Sequence, residues 1–115
     1  MDYSGRVWLN GTDFAIDGAV DKTLIAAQGA GKVIRVLKGY VSVIVAGVGG
    51  GARVALEDGV GGTIIWQVNA DAVGNYRIDF EPMGYPLTAN TLLNLTVDGA
   101  LTTQASARAS VLAII

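Results

Sequence analysis

The chain has no cysteine and no histidine in its 115 residues. Without cysteine there is no disulfide framework and no thiol nucleophile. Without either residue, nearly all zinc and haem ligation is excluded, and so is the usual general base near neutral pH. Charge is scarce as well. Only 16% of residues are charged, against about 25% in an average soluble domain. Eight basic and ten acidic residues give a net charge of −2, and no basic run stands out. Binding to a nucleic-acid backbone is therefore not expected, nor is attraction to an anionic membrane surface. The least charged window, Lys38 to Arg53, is too short and too rich in glycine to span a membrane as a helix. The opening MDYSGRVWLN lacks a charged segment followed by an apolar one, so it does not read as a signal peptide. No cofactor, metal or enzymatic activity is expected from this inventory.

What is present is apolar. Hydrophobic residues make up 51% of the chain, and mean hydropathy is +0.46. A chain of this length fits one domain and can bury a core without staples. Its small stock of polar groups has two readings. Part of the surface is buried against other subunits, or a monomer presents a surface of Ala, Gly and Thr. The first is the simpler and points to an oligomer.

The strongest patterned stretch is Lys32–Ala46, KVIRVLKGYVSVIVA, rich in β-branched and aromatic residues. Alternation puts Val33, Arg35, Leu37, Val41, Val43 and Val45 on one face, and Ile34, Val36, Tyr40, Ser42 and Ile44 on the other. With both faces largely apolar, it reads as a strand inside a sheet. A Gly inside a strand marks a bulge or a close backbone approach, and a bend or bulge is expected at Gly39. Further strands are predicted at Phe14–Ile16, Thr23–Ala27, Arg53–Glu57, Thr63–Val68, Asn75–Glu81, Thr91–Val97 and Ser106–Ile115. Gly-containing turns separate them. About eight short strands and no helical period describe an all-β, single-domain antiparallel β-sandwich of jelly-roll type. Residues 1–12 form no clear element and read as an N-terminal arm, with the sandwich over 13–115. Tyr3, Arg6, Val7, Trp8 and Leu9 in that arm are the candidate partner-binding residues. Trp8 is the main anchor, because no strand partner is evident for it.

The chemical motifs are weak. Gln28–Lys32 (QGAGK) has the wrong residues at both ends for a phosphate loop, and a strand follows it rather than a helix. Asp79 and Glu81 share a strand face about 7 Å apart. That spacing suits paired-carboxylate chemistry but is more simply a solvated face, as is Glu57-Asp58 beside its Gly turn. Asp13, Asp17 and Asp21 lack the remaining positions of a calcium loop. Asn10 and Asn94 head glycosylation triplets by chance. Trp66 and Tyr76 belong to the core by alternation.

Several segments together resemble a known family. These are Asp21–Ala27 (DKTLIAA), Gly31–Leu37 (GKVIRVL), Gly61–Thr63, Glu81–Tyr85 (EPMGY) and Leu92–Leu95 (LLNL). The set resembles small virion proteins of tailed bacteriophages with a jelly-roll, TNF-like fold. Members carry an NTIIAA…GKKIRVL start, a P-x-G-W turn and an LNLNLS strand. Tyr85 stands here in place of that Trp, and the loop before Leu92 is shorter. The resemblance spans residues 14–115. It implies a homotrimer on the outer surface of the virion, a capsid decoration (cement) protein bound to the major capsid protein. The alternative is a receptor- or carbohydrate-binding module of a tail or fibre.

Overall fold

A computed structural model describes residues 6–15, 19–45, 52–70, 72–98 and 106–115. These residues form nine strands and no helix: β1 (Arg6–Ala15), β2 (Ala19–Ile25), β3 (Arg35–Val45), β4 (Ala52–Asp58), β5 (Thr63–Ala70), β6 (Gly74–Asp79), β7 (Tyr85–Pro86), β8 (Leu93–Asp98) and β9 (Ser106–Ile114). One sheet has the order β1-β9-β3-β6, with β7 also paired to β3, and the other has the order β2-β8-β4-β5. We call them the first and second sheets. Every pairing is antiparallel. The β4–β5 hairpin nests inside β3–β6, that pair inside β2–β8, and that pair inside β1–β9. A long hairpin wrapped in this way is a jelly roll, as expected. The ninth strand is the two-residue β7, which extends β6 along β3.

The core lies between the sheets. The first sheet contributes Phe14, Val36, Val41, Val43, Ile78, Ala107, Ala109, Val111 and Ala113, and the second Leu24, Ile25, Val54, Leu56, Leu93, Leu95 and Val97. Strand β9 presents mostly small side chains inward, while β4 and β8 present mostly Leu and Val. Facing large and small residues lets two layers interlock at native density. Trp66 and Tyr76 pack against this core, as alternation predicts.

Three differences from the expected pattern have local causes. Residues 6–12 do not form a structureless arm. They are the first seven residues of β1, laid along β9 with Trp8 opposite Leu112 in register. Asn10-Gly11 reads as a turn in sequence but sits at the register shift between Leu9 and Thr12. There Gly11 has φ +78, and a Cβ would stand 2.9 Å from the Arg108 Cδ. Only glycine suits that combination. In β3 the register shift falls between Val36 and Lys38 rather than at Gly39. It makes Leu37 the extra residue, so Ile34 and Val36 face inward before it, and Val41 and Val43 after it. In β5 a shift opposite Leu56/Glu57 turns Ile64 outward, while Ile65, Trp66 and Val68 stay against the core.

Gly39 has a different role, the close approach. A Cβ there would lie 2.1 Å from the Ser110 carbonyl oxygen of β9. No side chain fits without separating the two strands. Gly39→Ala is expected to lower the urea midpoint at unchanged m-value, by the roughly 1–3 kcal/mol or more typical of overpacking.

Strand direction places the 26–34, 59–62 and 80–92 connections at one end of the sandwich. They are tied together there. Gly29 N donates to Asn90 Oδ1 at 3.0 Å, and Asn90 N donates to the Lys32 carbonyl at 2.7 Å. Asp58 accepts from Thr88 N at 3.0 Å and from Thr88 Oγ1 at 2.7 Å. Asp58→Ala should speed amide exchange at Thr88 and cost about 1–2 kcal/mol, the scale of hydrogen bonds to a charged acceptor. The expected loops at Asp17-Gly18 and Gly47–Gly51 lie outside the described residues.

Candidate interaction surface

Alternation along β3, β6 and β9 also defines the outer face of the first sheet. Lys38, Tyr40, Ser42 and Ile44 of β3 share it with Asn75, Arg77 and Asp79 of β6, and with Arg108, Ser110 and Leu112 of β9. Its charges are matched within the chain. Arg108 donates Nε to Asp13 Oδ1 at 2.7 Å and Nη2 to Oδ2 at 3.4 Å. Arg77 donates to Asp79 at 3.0 Å, and Lys38 lies 3.6 Å from Glu81. Ser42 donates to Asn75. Between these pairs stand two large apolar side chains in the open, Tyr40 at 41% exposure and Ile44 at 51%. The β3–β6 register brings Val43 opposite Gly74, so exposed Val73 lies near Ile44 at the same end of the sheet.

The outer face of the second sheet is more polar, although Ile64 of β5 is also exposed on it at 40%. It carries Asp21, Thr23, Arg53, Gln67, Asn69 and Thr96 around a buried polar pair, Glu57 and Asn94. Asn94 Nδ2 donates to Glu57 Oε1 at 2.9 Å and to Asp21 Oδ1 at 3.2 Å. The Gly61 amide also reaches Glu57 Oε1, at 3.4 Å. Glu57 is therefore not a solvent-facing group, contrary to its reading beside a Gly turn. Asn94 is 1% exposed and unavailable to a glycosyl donor in the folded chain.

Of the candidate partner residues, Tyr3 lies outside the described residues. Arg6, Val7, Trp8 and Leu9 are brought together on β1, an edge strand of the first sheet, where the backbone pairs with β9. Tyr40 and Ile44 on the same sheet were not singled out by motif. Their signal was the apolar second face of the Lys32–Ala46 stretch. Arg35 and Lys38 of β3 both find partners within the chain. Arg35 Nη1 donates to the Met83 carbonyl at 3.0 Å, and Lys38 meets Glu81. Asp79 and Glu81 are likewise engaged. Asp79 accepts from Arg77 and from the Glu81 amide. The QGAGK segment is a turn closed by Lys32 N to the Gly29 carbonyl at 3.0 Å, and it leads into β3. Among the described residues, no group of three His, Cys, Asp or Glu side chains is placed to hold a metal ion.

No family profile, curated protein or solved structure matches this chain.

The Asp13 carboxyl lies below its ordinary value, chiefly through its hydrogen bond from Arg108 and further through the charges of Arg108 and Lys22. A depressed folded-state value means that the pair stabilises the fold above the unfolded-state pKa and loses that contribution as pH falls through the folded value. Arg108→Gln should move the Asp13 titration midpoint, followed by carboxyl NMR, up toward the ordinary 3.8.

Proposed function

We propose that this chain is a virion assembly protein, a jelly roll that decorates and stabilises a bacteriophage capsid as a homotrimer seated on the major capsid protein. Its task in this reading is passive. Apolar surface left open on one sheet is covered by neighbouring subunits, and the packed sandwich holds its shape between them. The observation that carries the reading is the outer face of the first sheet, where Tyr40 and Ile44 stand exposed among charges already matched within the chain. Internally matched charges can enter an interface without leaving an unpaired partner behind. The low charged fraction of 16% supports it, as does the resemblance of the Asp21–Ala27, Gly31–Leu37 and Glu81–Tyr85 segments to small phage virion proteins. The molecule measures 43 × 24 × 18 Å. Its broad face therefore suffices for the roughly 800 Å² per partner of a standard interface.

Co-sedimentation with expanded, undecorated capsids tests the reading. The double variant Tyr40→Ser/Ile44→Ser should fold with stability within about 0.5 kcal/mol of the parent, as for exposed positions generally. It should lose both capsid binding and self-association. Deleting residues 1–12 would remove most of β1, so the contribution of the amino-terminal segment is better read from deletion of residues 1–5 and from Trp8→Ala. Binding of the purified protein to a glycan array, with no binding to capsids, would favour a receptor- or carbohydrate-binding module instead.

A further inference from the structure

The two long sides of the sandwich, where an edge strand of one sheet faces an edge strand of the other, are closed by different means. On the β5/β6 side the Trp66 indole Nε1 donates to the Arg77 carbonyl at 3.2 Å. That bond ties the sheets together and engages a carbonyl on the edge strand β6. The β1/β2 side depends on charge and irregularity.

Among the described residues, strand β2 has one ladder neighbour, β8. Its other edge is a row of backbone groups of the kind that recruits an additional strand. The residues of β2 would suit such pairing, since Val20, Thr23 and Ile25 are β-branched. Two features oppose it. Lys22 sits opposite Leu95 and Val20 opposite Val97 in the β2–β8 register, and both partners are buried in the core. Lys22 thus occupies an inward-facing position on an edge strand, yet its side chain is exposed. Its charge also helps to lower the Asp13 carboxyl of β1 in the other sheet, after the larger effect of Arg108. A strand added here would have to strip water from that charge, which has no salt bridge among the described residues, at the high cost of burying such an ion. The second feature is the register shift between Thr23 and Ile25, which breaks the straight run of edge groups.

We propose that Lys22 guards the β2 edge against strand addition, keeping further copies of this chain and extended peptides off that side of the sandwich. This goes beyond the capsid reading and does not depend on it. Any assembly of the folded protein then proceeds through faces and loops and not through a continued β2 ladder.

The test compares the full chain with Lys22→Val and Lys22→Arg at matched concentration, by sedimentation velocity and by amide exchange over residues 20–25. Lys22→Val should raise the weight-average mass at least about twofold over the parent and slow β2 exchange about tenfold or more, as an exposed edge becomes paired. Lys22→Arg should match the parent in both. If Lys22→Val does not accumulate as folded protein, Lys22→Thr removes the charge while keeping a polar, β-compatible residue, and it should show the same two changes. Parent-like mass and exchange in the uncharged variants would overturn the proposal. So would equal association of Lys22→Arg, or association that leaves β2 exchange unchanged.

Discussion

The structure depends on the seating of β9 between β1 and β3. Strand β9 is inserted into the first sheet, and among the described residues β1 is held in that sheet through it alone. The contact is close enough that the Gly39 backbone meets the Ser110 carbonyl with no room for a Cβ. Ser110 is 2% exposed on what is otherwise an outer face. Ala107, Ala109 and Ala113 on the inward side leave space for the larger residues of the second sheet. A bulkier β9 would press the sheets apart, and a residue larger than glycine at position 39 would press β3 from β9. Both directions of packing, within the sheet and between sheets, thus converge on one strand.

With that strand in place, the two outer faces diverge. The first sheet pairs its charges internally and leaves Tyr40 and Ile44 uncovered. The second sheet is mostly polar, and its buried Asn94 and Glu57 bond to each other, to the exposed Asp21 and to the Gly61 amide. The two faces thus differ in how much apolar surface they leave open.

The two ends also differ. The connections at 26–34, 59–62 and 80–92 are stitched by backbone hydrogen bonds and by the Asp58–Thr88 contact. Glu81–Tyr85 folds back so that Arg35 reaches the Met83 carbonyl, Gly84 lies over Leu37, and the Phe80 and Tyr85 rings stand 5.7 Å apart. Two of the segments that carried the family resemblance, Gly31–Leu37 and Glu81–Tyr85, therefore touch. Leu37 is fully buried on the side away from the main core, which explains an apolar residue there that the two-sheet core does not require.

The sequence by itself determined the class of this fold. Alternation in Asn75–Glu81, the β-branched run at Lys32–Ala46 and the spacing of Gly turns specify short strands packed on one face, because a side-chain period of two has no other stable use. The Ala-rich Ser106–Ile115 segment was legible as a strand from its β-branched residues. Only the tertiary structure decided where that period breaks. Shifts at Leu37 and opposite Glu57 exchange inside for outside, and they depend on how two strands meet, not on either strand alone. The place of Arg6–Thr12 was hidden likewise. Its partner, β9, lies about a hundred residues further along the chain, and nothing local to the segment marks the pairing. Glu57 looked solvent-bound because charge pattern carries no information about turns folding back. Whether Tyr40 and Ile44 were core or surface was open in the alternation of β3, and it was settled by the sheet that came to lie on the opposite side.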